Sequence, residues 1–347
     1  MSVIKLKADL GAIEGTSADL KLKEAMYKVG EGLASTIVID GKFKIIERND
    51  YDFGNNVALK RAKHLTLQGN GSSSQLLPSF PTNMQSLVIG GLESLVIKDL
   101  VIAGDPTKQF DCGTLFWLTQ TGHIVWDNTH VYGLASASNN PFGIVFVDNA
   151  GFTMRDSLIK GSTSVGSGLF TIQHARKTSI SNVEFLDYGE LDGEGGTYRS
   201  KTSYGFSHSW IKFSVPHPLG STAYIGTPLL EQMMLDEGAR YGISCDGGAT
   251  RMQGLRLRDV SINLRHAGLL LNNVDSLVAE DSLFTWRGGV PAIEGTNVKR
   301  TRLTRCKATH ADTGITLTGQ TDKLIMEECE GFGPISVPDG TDFDTLN

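Results

Sequence analysis

The chain has 347 residues and a net charge of −6 from 32 basic and 38 acidic side chains, spread without long runs of one sign. This balance excludes the basic footprint of a nucleic-acid-binding protein, and no window approaches the roughly 18 apolar residues of a membrane-spanning helix. Forty glycines, ten prolines and a hydrophobic share of 40% exclude a disordered chain and indicate a folded one with many tight corners.

Residues 1–45 predict an N-terminal cap that contains one short amphipathic helix. Ser17 is the expected N-cap, and Gly30 and Gly32 mark the expected end. The apolar residues between them recur at helical spacing: Leu22, Ala25, Met26 and Val29. Such a helix covers the open end of a repeat protein. No apolar leader with a cleavage site precedes it, so we expect a chain without a secretory signal that folds in a reducing cytoplasm.

Residues 46–347 predict one solenoid, because a six-residue frame with mostly apolar ends recurs along them. The frames begin at Ile97, Val125, Met154, Ile180, Leu257, Val278, Leu303 and Met326. Successive starts lie 21 to 29 residues apart, except for a 77-residue gap after residue 180 in which about three repeats would fit. A glycine and a short apolar strand precede most frames.

The repeated segments alternate polar and apolar residues as strands do, and they lack the leucine-rich phrase of a horseshoe repeat. We therefore predict an all-β fold, a single-stranded right-handed parallel β-helix of roughly ten coils with a short N-terminal capping helix. Coils stack about 4.8 Å apart, which places Cys306 and Cys329 side by side. Their spacing suits a disulfide, whereas two reduced thiols packed as small hydrophobes are favoured in a cytoplasmic protein.

Two loop insertions interrupt the predicted solenoid, at residues 187–203 and 214–240. Loops on a regular scaffold often carry function, and glycoside hydrolysis uses two carboxylates about 5 Å or about 6.5–9.5 Å apart. The candidate catalytic residues are the acidic ones in and near the first loop: Asp187, Asp192, Glu194 and Asp246. The alternative interpretation of this glycine-rich acidic loop is a solvated surface segment.

Four further residues are candidates for ligand binding: Tyr198, Arg199, His208 and Trp210. An elimination reaction needs a base and a cation that neutralises a uronate, which His208 and Arg199 would supply. Polar neighbours of Trp126, Trp210 and Trp286 favour partial exposure, and an indole face suits a sugar ring. Core packing explains these tryptophans equally well. The spacing of potential ligands matches no known metal motif, so we expect neither a metal nor a cofactor.

Two phrases near the start of the solenoid point to a family. A strand, Thr36–Ile39, precedes Gly41-Lys42-Phe43, and a second strand ends in the glycine-rich corner Leu65 to Gly71. These phrases resemble the opening of pectate-lyase-like right-handed parallel β-helix proteins, and the later coils resemble those of bacteriophage tailspikes and virion β-helix proteins. The chain departs from that pattern in residues 10–19, which lack paired aspartates, and it has no Arg-x-Pro-x-x-Arg phrase.

The resemblance implies a virion-type structural protein, a phage tailspike, fibre or decoration component, that contacts host-surface glycan or neighbouring virion proteins. It implies a homotrimer assembled in the host cytoplasm, with no nucleic acid or membrane partner. The alternative is a polysaccharide lyase, glycoside hydrolase or epimerase that acts through residues 187–246. The sequence leaves open whether the protein is an enzyme.

Overall fold

The computed structural model describes residues 2–78, 87–104, 111–112, 114–136, 142–148, 150–164, 167–186, 207–214, 226–236, 239–264, 268–286, 291–309 and 314–346. Nearly all of them lie in strands or in the corners between strands. Twenty-eight strands form one parallel sheet, and three short strands form a second sheet. Among the described residues, no helix combines the length and the apolarity needed to cross a membrane.

The elements follow in chain order. The first part of the chain contains β1 (Val3–Lys5), α1 (Asp19–Gly30), β2 (Thr36–Val38), β3 (Lys42–Ile45), β4 (Asn49–Asp52), β5 (His64–Gln68), β6 (Gln75–Pro78), β7 (Leu87–Gly90), β8 (Ser94–Lys98), β9 (Val101–Ala103), β10 (Asp111–Cys112), β11 (Phe116–Thr119), β12 (His123–Asp127), β13 (His130–Tyr132), β14 (Ala135–Ser136) and β15 (Val145–Asp148). The remainder contains β16 (Gly151–Lys160), β17 (Thr163–Ser164), β18 (Gly168–Gln173), β19 (Thr178–Leu186), β20 (Ser207–Ser214), β21 (Leu229–Leu235), β22 (Ala239–Asp246), a 3-10 turn (Gly248–Thr250), β23 (Leu255–Leu264), β24 (Leu269–Glu280), β25 (Leu283–Trp286), β26 (Ile293–Thr304), β27 (Lys307–Ala308), β28 (Ile315–Thr318), β29 (Lys323–Glu327), β30 (Ile335–Ser336) and β31 (Asp342–Leu346).

The strands stack in register into three faces, which confirms the predicted right-handed parallel β-helix of roughly ten coils. Face 1 contains β4, β7, β11, β15, β18, β20, β22, the first halves of β24 and β26, β28 and β30. Face 2 begins with β1, β2, β5, β8 and β12 and ends with β29 and β31. Face 3 includes β3, β6, β9, β13, β25 and β27. Longer strands such as β16, β19, β21 and β23 bend from face 2 into face 3.

The corner between faces 2 and 3 is made by one residue in the left-handed backbone region. In successive coils, the residue with this backbone conformation is not glycine but one of the following: Asp99, Asn128, Asp156, Asn182, Gln232, Asp259, Asp281, Arg305 and Glu328. Asn and Asp tolerate this conformation because their short polar side chains form local hydrogen bonds. Here the bonds run between coils: Asn128 Nδ2 donates to Asp99 Oδ1 over 2.9 Å, and Asn182 Nδ2 to Asp156 Oδ1 over 2.6 Å. The ladder keeps the coils in register.

The helix α1 closes the N-terminal end of the core, as predicted. Its expected apolar stripe is buried in the core cluster: Leu22, Ala25, Met26 and Val29. The N-cap is Ala18 and not Ser17, although Ser17 Oγ accepts the backbone N–H of Asp19 over 3.3 Å. The buried Asp19 carboxylate accepts the Ile46 N–H over 3.0 Å and Asn49 Nδ2 over 2.8 Å. These bonds attach the helix to the first full coil.

The register corrects three details of the predicted repeat. Two frames begin one residue later than expected, at Trp126 and Ala279, because these residues pair with Ile97 and Leu257. The 77-residue gap contains one further frame, which starts at Leu230 in β21 and pairs with Ile180. The gap therefore holds one additional repeat and not about three, and β21 (Leu229–Leu235) is regular strand inside the predicted 214–240 insertion.

Candidate functional site

The outward side chains of face 1 form two columns, and the residue types in each column change from one coil to the next. Column A contains Trp117, Phe146, Thr171, Lys212, Ser244, Leu270, Glu294 and Thr316. Column B contains Thr119, Asp148, Gln173, Ser214, Asp246, Asn272, Thr296 and Thr318. Inward neighbours such as Val145, Val147 and Ile172 belong to the apolar core. The outward residues are therefore not needed to fill the core.

In the middle of this face, four outward side chains are almost completely buried, and three of the four are polar. Phe146 and Thr171 have no exposed surface, and Ser214 and Ser244 are each 4% exposed. These four side chains lie in β15, β18, β20 and β22, and the predicted loop insertions precede and follow β20 in the chain. The middle of face 1 is a sheltered polar surface and not an open wall.

A histidine–aspartate pair lies at the edge of this surface. His174 follows β18 in the left-handed region with φ of 52°, and its Nδ1 lies 3.0 Å from Asp148 Oδ1 on the preceding coil. The two side chains are only 8% and 14% exposed. A carboxylate this close to Nδ1 favours a proton on that nitrogen, and Nε2 is then the basic atom of the ring. This arrangement is one that general bases use.

Lys212 lies at the centre of the same surface, one strand beyond Thr171 in column A. Burial lowers the pKa of its ammonium group, and the nearby carboxylate of Asp246 acts against that shift. Gly168 makes room for it, since a Cβ on Gly168 would lie 2.6 Å from Lys212 Cβ. A lysine with a lowered pKa in a sheltered position is typical of a functional site.

Asp246 is the predicted catalytic residue whose side chain the structure describes. It lies in column B beside Ser214, and its Oδ1 accepts the backbone N–H of Gly248 over 3.1 Å. Its position next to the strand of Lys212 brings it into the same polar surface. The other predicted catalytic residues lie outside the described residues: Asp187, Asp192 and Glu194. The same holds for Tyr198, Arg199 and the side chain of His208.

Trp210 does not face outward, which corrects its expected partial exposure. It is 1% exposed, its ring lies 5.7 Å from that of Phe185, and its Nε1–H donates to the carbonyl oxygen of Asp236 over 2.7 Å. Trp126 is likewise fully buried. Both indoles fill the core, where a polar N–H needs such a partner. The side chain of Trp286 lies outside the described residues.

The candidate residues from the sequence do not include Asp148, His174 or Lys212. The signal for Lys212 was the phrase Ile211-Lys212-Phe213, a lysine between two buried apolar residues. Aligning it with the coil of Gly168 required the register across residues 187–206, where the repeat fades. Without that register, Asp148, His174 and Lys212 remain far apart in sequence.

A second group of charges lines a cavity of about 480 Å³ at the corner between faces 2 and 3. Its lining residues are Glu231, Gln232, Arg258, Asp259 and Asp281. Arg258 pairs with Glu231, and Arg305 holds Asp281 through two hydrogen bonds of 2.6 and 2.9 Å. The guanidinium of Arg305 lowers the pKa of Asp281. Because Glu231 and Asp281 are paired with arginines, the charged groups of this cavity form ion pairs between coils and do not form a pair of catalytic carboxylates.

The described residues contain no group of three or more His, Cys, Asp or Glu side chains arranged to hold a metal ion. On face 1, lysine, histidine and aspartate side chains lie on neighbouring strands, and groups of these kinds supply proton transfer and anion binding.

Known structures share this fold. The A-module of the mannuronan C-5 epimerase AlgE4 from Azotobacter vinelandii is similar over 100% of both chains, with a TM-score of 0.62 and 13% identity. Tailspike protein 3 of bacteriophage CBA120 matches 99% of this chain and 61% of its own, with a TM-score of 0.45 and 10% identity. No protein-family model and no curated protein match the sequence. At 13% identity, the likeness to the AlgE4 A-module shows the fold alone, a parallel β-helix.

Proposed function

We propose that this β-helix protein binds an acidic polysaccharide along face 1 and modifies its uronate residues by proton transfer, as a lyase or an epimerase. The observation that carries the proposal is the sheltered grouping of Lys212 and Asp246 with the His174–Asp148 pair on neighbouring strands. Both reactions begin by removal of the proton at C5 of a uronate, which becomes acidic when its carboxylate is neutralised.

Each side chain has a role that its surroundings favour. The Lys212 ammonium group neutralises the uronate carboxylate, and its partial burial strengthens that interaction. His174, oriented by Asp148 through Nδ1, takes the C5 proton on Nε2. The C5–H bond breaks, and its electron pair delocalises into the neutralised carboxylate.

The fate of that intermediate separates the two reactions. In a lyase, the electron pair expels the oxygen at C4 and leaves an unsaturated sugar. In an epimerase, a proton returns to C5 from the opposite side. Asp246 lies on the next strand from Lys212, and we assign to its carboxylate the relay of that proton from solvent to C5. The two products identify which reaction takes place.

The test is incubation of the protein with uronate polysaccharides in D2O, with NMR detection of deuterium at C5 and ultraviolet detection of unsaturated ends. With wild type we expect C5 deuteration if the protein is an epimerase and unsaturated ends if it is a lyase, and Lys212→Met should lose whichever signal wild type gives. Lys98→Met, which removes a part-buried lysine on face 2, is the matched control and should retain that signal. If wild type binds the polysaccharides without exchange or cleavage, the enzymatic proposal is wrong.

That second outcome would favour the virion role, a wall that binds host glycan without turnover. The proposed site serves that role as well, because a sheltered cation binds an acidic glycan whether or not chemistry follows. Membership of a virion and assembly as a homotrimer stay predictions. Light scattering that gave a monomer at micromolar concentration would contradict the trimer.

A further inference from the structure

Column A begins with an aromatic cluster that core packing does not explain. Trp117 and Phe146 both point outward, and the ring of Phe142 joins them. The three ring centroids lie 4.8, 4.8 and 4.9 Å apart. Phe146 is fully buried, whereas Trp117 and Phe142 stay partly exposed. Because Trp117 points outward and is partly exposed, its ring is accessible to a ligand on the outer side of face 1.

The indole of Trp117 is held in place but not stacked face to face. Its contact with Phe142 is tilted at 48° and its contact with Phe146 is edge-on at 73°. These are its ring contacts within the described part of the chain. The packing fixes the plane of the indole, so an added ring loses little side-chain entropy when it stacks there.

The cluster lies on the same column as Lys212. Trp117 pairs with Phe146, Phe146 with Thr171, and Thr171 with Lys212. Three strand spacings separate Trp117 from Lys212, which amounts to about 14 Å along the solenoid. That distance exceeds one sugar ring and suits a short oligosaccharide lying along the axis. The aromatic cluster and the charged centre form one continuous track.

We infer that Trp117, supported by Phe142 and Phe146, is a stacking subsite for a pyranose ring of the glycan whose uronate lies at Lys212. This inference rests on the proposed function and deepens it, because it sets a minimum length for the ligand. The occupant is a sugar and not an apolar peptide, since the track leads directly into a cationic and hydrogen-bonding surface. The glycan therefore runs along the solenoid axis from Lys212 toward the capped end.

The test compares Trp117→Ala, Trp117→Phe and Leu270→Ala by calorimetric binding of uronate oligosaccharides of increasing length. Leu270 lies two strand spacings beyond Lys212 on the opposite side and lacks an aromatic face. We expect Trp117→Ala to weaken binding of longer oligosaccharides about tenfold, the share of one aromatic contact. Binding of a monosaccharide, which cannot span from Lys212 to Trp117, should not show this loss, and Trp117→Phe should retain most of the affinity. Leu270→Ala should match wild type in its affinity for every length and in its kcat.

The outcomes separate the subsite from the proposed function. Wild-type affinity in Trp117→Ala, or an equal loss in Leu270→Ala, overturns the subsite while leaving the function in place. If wild type binds no uronate oligosaccharide of any length, the proposed function fails and the subsite fails with it. Circular dichroism of each variant shows whether the solenoid remains folded.

Discussion

Oxidation of the folded protein should join Cys306 and Cys329 across the last coils. Thr304 pairs with Glu327, so the two cysteines, each two residues farther along, stack on adjacent strands of the corner. Both are free thiols, with Cys306 buried and Cys329 part-buried. The interaction between the two side chains lowers the pKa of Cys329 to about 7, and the same interaction together with burial raises the pKa of Cys306.

An added small disulfide such as oxidised glutathione is the oxidant that forms this cross-link. The Cys329 thiolate attacks this disulfide and releases one glutathione thiolate. Cys306 then loses its proton, attacks the mixed disulfide and releases the second. The cross-link closes a loop of about two dozen residues, which corresponds to about 3 kcal/mol of added stability in the chain-entropy model.

The assay combines peptide mass mapping with denaturant unfolding of oxidised and reduced protein. We expect a 306–329 peptide, a higher unfolding midpoint, and alkylation of Cys329 that accelerates as pH rises through about 7. Cys329→Ser should remove all three effects, whereas the buried Cys245 should stay unmodified. Recovery of Cys329 only as a mixed disulfide would refute the stacked geometry on which the prediction depends.

Three further substitutions test other parts of the molecule. Lys212→Met should lower turnover by about 10²–10³-fold and yet raise the unfolding midpoint at neutral pH. Burial lowers the Lys212 pKa, so its charge destabilises the folded state and that penalty fades only as pH approaches 10.5. Asn182→Val should cost about 1–2 kcal/mol, because φ is 52° there, whereas Asn182→Gly should cost less; urea unfolding measures both. Trp210→Ala should cost about 3–5 kcal/mol in the same assay, with unchanged glycan affinity in any fraction that folds.

The fold could be predicted because each coil repeats the same physical pattern. The alternation of buried and exposed residues in a strand such as His123–Asp127 is visible in the sequence, and so is the apolar stripe of α1. The frame errors at 125 and 278 arose because Val125 and Val278 are apolar residues that point outward beside the true starts. A period of two cannot distinguish the faces where neighbouring residues are both apolar.

The site could be predicted only in part because it depends on register across the longest interruption. The sequence alone singles out Asp246 as a candidate, but the side chains grouped with it in the proposed site come from three other coils. Lys212 and His174 are placed on adjacent coils only once Gly168 is paired with Ser209. The expected exposure of Trp210 failed for a related reason, since polar neighbours in the chain do not show which side of the corner an indole occupies.

The lysine at position 212 is the residue that most strongly indicates a function for face 1. Its neighbours in column A, Thr171 and Ser244, are neutral, buried and hydrogen-bonded to nearby hydroxyls. A neutral hydroxyl residue at position 212 would be compatible with the fold. The lysine instead places an ammonium group where burial lowers its pKa. Within the described part of the chain, the carboxylate of Asp246 opposes that penalty. Burial makes the charged form of Lys212 unfavourable, and an anionic ligand next to the ammonium group would offset that cost. The lysine therefore favours a site that binds an anion. Adding an acidic oligosaccharide should therefore raise the Lys212 pKa, and NMR titration of the lysine side chain that showed no such rise would contradict this argument.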